Sequence, residues 1–514
     1  MGETPISHRQ KMPQASDSAK RESVACALNV KKSSSNMQNK AEMPQVSDSS
    51  KSVFAACALN VRKKMKGVPM TKDMTSGNPL RLIISFAIPM FLGMLFQQFY
   101  SMVDTVVVGK FLGVGPLAGV GATSSLNFMV IGFCTGVCNG FAIPVAQMFG
   151  AKRDSELRKY VANSTWLCIF FSVVLTTLVV GFCRPILTLM NTPEDIFEYA
   201  YLYIVIIFLG IPFTFLYNIL AALIRSLGDS RTPVVFLGVA SLINIVLDIV
   251  FVIVLHMGVE GPAIATVISQ GLSGVICLWY MKRKFEILRI SKEEWKLRGT
   301  YIKTLCYMGI PMGLQYSVTA IGTLVIQAAV NGFGSLTVAG VTAAQRINSF
   351  ISCPVESIGA TMAPYSGQNM GAGKLDRVAR GLRDASILGF GVSAVLFVIV
   401  LMTGKQLSLI FLDTADDRVI AYSYQFLVTT AAGYFLLTLV NAVRFTIQGM
   451  GFSVFAITSG VLEMIARTLA GLVLVPLIGY TGICLAHPLA WIFADSFLIP
   501  AFFYCKKKVQ RLYD

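Results

Sequence analysis

From residue 80 onward the chain alternates long apolar runs with short polar connections. Phe111 to Ala151 contains no charged residue, and neither does Val161 to Cys183. A helix that crosses a bilayer needs about 20 such residues, so these runs predict membrane spans, the first being one very long helix or a broken one. The same reading along the chain predicts twelve helices, at 80–108, 116–148, 158–182, 197–224, 232–255, 261–281, 302–330, 337–369, 377–402, 418–444, 453–476 and 482–504. The expected fold class is an all-α integral membrane protein.

Composition agrees. The 514 residues are 54% hydrophobic and 14% charged, where a soluble domain carries about 25% charged residues. The net charge of +16 would suit a nucleic-acid binder, but its placement argues for topology instead. Lys and Arg gather in alternate connections: "AKRDSELRKY" (151–160), "IRSLGDSR" (224–231), "KRKFEILRISKEEWKLRG" (282–299), "GKLDRVARGLRD" (373–384) and "CKKKVQR" (505–511). The opposite connections hold little beyond Lys110, Arg184, Lys405 and Arg418. The positive-inside rule then places both termini in the cytoplasm.

Before the first span, residues 1–78 are polar, and "MPQASDSAKRESVACALNVKK" (12–32) recurs as "MPQVSDSSKSVFAACALNVRKK" (43–64). Neither copy is apolar enough to span or resembles a cleavable signal, so a disordered cytoplasmic tail is expected. The membrane part also repeats, at an offset of 221 residues. "LAGVGA" (117–122) answers "VAGVTA" (338–343), "QMFGA" (147–151) answers "QNMGA" (368–372), Asp195 answers Asp416 and Gly228 answers Gly449. Six spans per copy is an even number, so both copies enter from the same side. Two lobes related by a pseudo-two-fold along the membrane normal follow, with a central cavity. The expected division is an N-terminal lobe at 79–284, a linker at 285–301, a C-terminal lobe at 302–505 and a basic C-terminus at 506–514. Pro89, answered by Pro311, reads as a hinge in the first helix or as a plain kink.

No Walker loop, nucleophile elbow or metal-ligand constellation is visible, and "CTGVC" (134–138) reads as small packing residues. The chemistry lies in charges inside the spans, each costing roughly 2.5–3.5 kcal/mol at a helix centre. Glu463 and Arg467, four apart, form a structural ion pair on one helix face. Glu356, Arg346 and Asp495 have no evident role. Asp248 follows Asn244 by one turn, Thr266 stands on the next helix, and Asp104 ends the apolar run of the first. Two carboxylates, an amide and a hydroxyl suit a hard cation, or a proton held between the carboxylates. The alternative is a polar patch that ties helices together.

At these residues the chain resembles the multidrug and toxic compound extrusion (MATE) transporters, of the bacterial branch with DNA-damage-inducible and MepA-like exporters. The resemblance is carried by "VDTVVVGKFLG" (103–113), "LAGVGA" (117–122), "AQMFGA" (146–151), "IRSLGDSRTP" (224–233), "NIVLD" (244–248) and "QNMGAG" (368–373), and covers about 80–514. It implies a secondary active exporter of mostly cationic, amphipathic drugs or toxic organic compounds in the cell membrane. The driving ion would be Na+ or H+ moving inward, bound at Asp104, Asn244, Asp248 and Thr266. No other cofactor, no transition metal, no enzymatic activity and no nucleic-acid partner are expected, and the protein is expected to act as a monomer within the lipid bilayer. Some relatives carry an acid in the seventh helix, where this chain reads "GIPMGLQYSVTAIG" (309–322), so a second ion site in the C-terminal lobe is not expected. A lipid or polysaccharide flippase of the same superfamily is the rival reading, disfavoured by twelve spans and an acidic N-terminal lobe.

Overall fold

Asn78 opens the first helix. Its side chain accepts the backbone N–H of Arg81 at 3.3 Å, and Pro79, which has no N–H to satisfy, takes the first turn. The computed structural model describes residues 72–410 and 416–513; the duplicated segments 12–32 and 43–64 lie outside the described residues. The chain folds into helices in sequential order. We number them α1 (Pro79–Val107, continued by a π-helical stretch Val108–Leu112), α2 (Val114–Gly150), α3 (Asp154–Gly181), α4 (Glu194–Leu209 and Ile211–Ser226), α5 (Arg231–Ile249, continued by a π-helical stretch Val250–Val254) and α6 (Glu260–Lys284). The second set is α7 (Gly299–Asn331), α8 (Ser335–Ile351 and Cys353–Gly371), α9 (Leu375–Leu409), α10 (Asp417–Ala432 and Tyr434–Gly449), α11 (Val454–Leu469, then Ala470–Leu474 and Val475–Ile478) and α12 (Tyr480–Tyr513).

Among the described residues nine helices are long and apolar enough to cross a membrane, and the bent pairs of α4 and α10 bring the number to eleven. The twelfth is α8, whose two pieces carry Arg346 and Glu356. α4 and α10 were expected to be single helices. Each bends by 48°, at Gly210 and at Gly433. The cause is shared: a Cβ on Gly210 would collide with Val267 of α6, and one on Gly433 with the Trp491 ring of α12. Glycine lets a neighbouring helix press into the bend.

Each lobe has its own core, one built around Phe141, Phe208 and Phe215 and the other around Phe426, Tyr434 and Trp491. The lobes pack along α2–α7 and α1–α8, and they come closest at the end that carries the basic connections. There the last turns of α2 and α8 cross: a Cβ on Gly150 would overlap the Gln368 carbonyl, and a Cβ on Gly371 would overlap the Gln147 carbonyl. Gln147 donates to the Gly449 carbonyl and Gln368 to the Ser226 carbonyl, both at 2.9 Å. Such reciprocity is what a two-fold along the membrane normal produces; an inverted relation would send these turns to opposite faces.

The offset between the halves is not uniform. Gly113 (φ 93) and Gly334 (φ 87) keep 221, but the positive-φ glycine that answers Gly228 (φ 89) is Gly451 (φ 98), not Gly449. The starts of α3 and α9, Asp154 and Leu375, are still 221 apart, whereas those of α4 and α10, Glu194 and Asp417, are 223 apart, so the turn geometry follows the backbone rather than the sequence match.

Three boundaries also move. Helix α12 runs to Tyr513, so the basic stretch after 505 continues the helix instead of leaving it, and α7 begins at Gly299. Residues 72–78 are not part of a loose tail. Met74 is fully buried, its N–H bonded to Gln368 Oε1 at 2.8 Å and its carbonyl to Asn369 Nδ2 at 3.1 Å. Lys374 and Arg377 reach the carbonyls of Thr75 and Gly77, both at 2.9 Å. Paired backbone groups hold this segment where a polar composition alone would not. Deleting 1–69 should therefore leave the melting temperature near that of the full chain, while deleting 1–77 should lower it, as fluorescence melting in detergent will show.

The linker is held against α3. Glu294 receives Arg158 Nε at 2.9 Å and the Ser291 N–H at 2.9 Å, and Asn163 accepts the N–H of Arg298 at 3.1 Å. The Arg158 hydrogen bond above all holds the Glu294 carboxyl down to about 2. A folded value below the unfolded one means the contact contributes fully above about pH 4.3 and fades as the pH falls toward 2. Pepsin should therefore cut Glu294→Gln within 285–298 much faster than wild type near pH ~4, and the two should converge near pH ~2. A ratio that stays constant over this range would show that Glu294 does not hold the linker.

Candidate functional site

Asp104 and Asp248 each sit on the last α-helical turn before a π-helical stretch, at Val108–Leu112 and Val250–Val254. A π turn widens the helix and redirects the residues around it, and such turns recur at functional sites. The two carboxyls lie close enough to each other to interact. Asp248 is fully buried and Asn244 nearly so. Asn244 Nδ2 donates to Thr266 Oγ1 at 3.5 Å, so the four residues predicted from spacing form one cluster on α1, α5 and α6.

The cluster is short of hydrogens. Asp104 Oδ1, both oxygens of Asp248 and Asn244 Oδ1 are buried acceptors without a donor. Uncompensated buried acceptors of this kind are costly, and a proton or a small cation would satisfy them together. An oxygen-only donor set matches a hard cation rather than a transition metal. Beside the cluster lies a cavity of about 20 Å³ lined by Tyr100, Ser241, Asn244, Thr266 and Gln270, enough for one water-sized particle. Tyr100, one turn before Asp104, and Tyr203 on α4 stand within electrostatic reach of the carboxylates. Sequence reasoning passed over both, although the four-residue spacing from Tyr100 to Asp104 puts them on one face.

A larger cavity, about 450 Å³, opens between the lobes and shares Tyr100, Tyr217, Leu237 and Gln270 with the small one. Apolar, aromatic and uncharged polar side chains from both lobes line it, together with Arg225, Arg444 and Glu356. Its volume is that of a site for a drug-sized molecule. Glu356 accepts Ser352 Oγ at 2.7 Å, and Arg225 donates to Asn139 Oδ1 at 3.2 Å.

The C-terminal lobe resolves its charges differently. The expected Glu463–Arg467 pair is present at 3.1 Å, but it is half of a triad, because Arg444 of α10 binds the other oxygen of Glu463. All three are buried. Arg467 is one turn from Glu463, which made it legible; Arg444 belongs to another helix. Asp495 lies close by on α12 with neither oxygen bonded. Pro89 sits within α1, which passes it as one helix. Removing Glu463 would leave two guanidiniums buried together, a change that costs about 3–5 kcal/mol when a buried pair loses one member. Glu463→Gln should lower thermal stability markedly, and an unchanged melting curve would show that the triad contributes nothing to the fold.

A family model described as MatE matches residues 89–250 and 311–477. The chain is 31% identical over 366 residues to the probable multidrug resistance protein YpnP of Bacillus subtilis, covering 69% of this chain and 79% of that one. It is 27% identical over 461 residues to the probable multidrug resistance protein YoeA of the same organism, covering 86% and 98%. Among solved structures, one described as the outward-facing conformation of a multidrug resistance MATE family transporter aligns with a TM-score of 0.80 at 19% identity, over 86% of this chain and 98% of that one.

Proposed function

We propose, from the premise that the chain belongs to the MATE family and is a transporter rather than an enzyme, that it is a secondary active multidrug exporter driven by H+ or Na+. The observation that carries this reading is the cluster at Asp104 and Asp248, four donorless buried oxygens beside a cavity wide enough for a drug. Transport substrates are small organic compounds. The resemblance makes them mostly cationic and amphipathic, and Glu356 is the acid that faces the cavity. The basic end of the bundle faces the cytoplasm of a cell membrane, and the protein works as a monomer.

In the cycle, a proton or Na+ entering from outside binds between the carboxylates and cancels one of their two charges, α1 bends at Pro89 and the cavity releases its cargo outward. Loss of the ion to the cytoplasm restores the paired charge and resets the carrier. Moving such an equilibrium from 1:99 to 99:1 requires the ion to favour one state by about 5.5 kcal/mol, within reach of a desolvated carboxylate pair. In proteoliposomes, Asp248→Asn should abolish substrate efflux driven by an ion gradient while leaving the melting temperature near wild type, and Asp104→Asn should do the same. Gradient-driven efflux at the wild-type rate in Asp248→Asn would place the coupling group elsewhere.

A further inference from the structure

We infer that the central cavity receives substrates carrying an acidic group, held by Arg225 with Arg444 beside it. The inference rests on the exporter reading and names the substrate class of that site. Arg225 lines the cavity between the lobes, yet no carboxylate lies within ion-pair distance of it among the described residues. Among the described residues its side chain makes one hydrogen bond, to a neutral amide, Asn139 Oδ1. The other groups that feel its charge are Tyr217, Tyr316, Cys138 and Cys277, all neutral. A guanidinium has five N–H donors, so four are left for a ligand.

Arg225 is the second-to-last residue of α4, where a cation would settle favourably against the helix end. The guanidinium does not do that. It turns across to α2 and into the cavity instead of bonding the last carbonyls of its own helix. Arg444 faces the same space, and Tyr316 on α7 lies in the field of Arg225, Arg444 and Glu356 together. Arg444 is braced from behind by Glu463, but its Nε is buried and unbonded. Glu463 is shared with Arg467, so the triad keeps one positive charge in excess; Asp495 makes no ion pair with it among the described residues.

Two guanidiniums beside one facing carboxyl let the cavity receive an acidic group as well as an amine. A planar carboxylate, or a sulfonate or phosphate ester, would meet Arg225 through paired N–H bonds. Glu356 leaves a place for an amine on the same molecule, so amphoteric compounds fit as well as simple anions. The aromatic and aliphatic walls take the rest of the molecule.

Equilibrium binding to the full-length protein in detergent, without any ion gradient, tests this. The probes are dansylphenylalanine, its methyl ester and the cation ethidium. Wild type should bind the acid roughly tenfold tighter than the ester, as expected when a charge-assisted pair is lost. Arg225→Gln should bring that ratio to about one, and Arg225→Lys, which keeps the charge without the fork, should fall between. Should Arg225→Gln fail to fold, Asn139→Asp, which supplies the guanidinium with a fixed counter-ion, should abolish the acid preference in its place. Equal binding of acid and ester by wild type, an undiminished ratio in the folded variants, or binding of ethidium without the acid would overturn the inference. Loss of coupling in Asp248→Asn bears only on the exporter cycle, and loss of acid preference in Arg225→Gln only on the substrate class.

Discussion

The two lobes depend on the crossing of α2 and α8 at the basic end. Gly150 lies on Gln368 and Gly371 on Gln147, each so close that any side chain would force the helices apart. The close approach brings the glutamines within reach of carbonyls in the opposite lobe, and it buries Met74 beneath Gln368. The α2–α8 crossing itself follows from two missing Cβ atoms. The hydrogen bonds that seal this end have a modest net worth of about 1 kcal/mol each, and the α1–α8 side-chain contact adds to them.

The halves share a backbone plan but use it for opposite electrostatic ends. At the π-helical stretch of α5 the N-terminal lobe places Asp248 against Asp104, two like charges with no fixed cation. Near the matching stretch of α11, Ala470–Leu474, the C-terminal lobe places Arg467 and Glu463, then adds Arg444. The first leaves Asp104 Oδ1 and both Asp248 oxygens buried without a donor among the described residues. The second pairs its charges around one shared carboxylate, Glu463. A duplicated fold thus separates a responsive lobe from a braced one, and the asymmetry lies in side chains rather than in helix paths.

Much of this was legible in the sequence because hydrophobic length and one-turn spacing are local. The spans, the repeat and the cluster of Asp104, Asn244, Asp248 and Thr266 all rest on such spacing or on a resemblance built from contiguous motifs. What escaped depends on contacts between distant segments. Arg444 is 19 residues from Glu463 and joins it only when α10 and α11 meet. The bends at Gly210 and Gly433 are set by Val267 and Trp491, residues on other helices. Residues 72–78 read as tail because their stabilising partners, Gln368, Asn369 and Arg377, come some 300 positions later.

Helix α1 connects the responsive site to the seal. Asp104 stands near one end of it, and near the other Leu82, Ile83 and Phe86 pack with Met74 against Ile358, Met362 and Tyr365 of α8. Between them lie roughly 30 Å of helix at 1.5 Å per residue. The partner seam between α2 and α7 is tighter, for there Gly136 and Gly140 meet the backbone at Met312 and Gly309 directly. The α1–α8 contact runs through side chains and can slide or reseat at lower cost than a glycine-to-glycine contact. Pro89 sits inside this looser contact, three residues beyond Phe86, where a missing hydrogen bond makes α1 easiest to bend. In the proposed cycle, a change of charge at Asp104 acts through α1 on this α1–α8 contact.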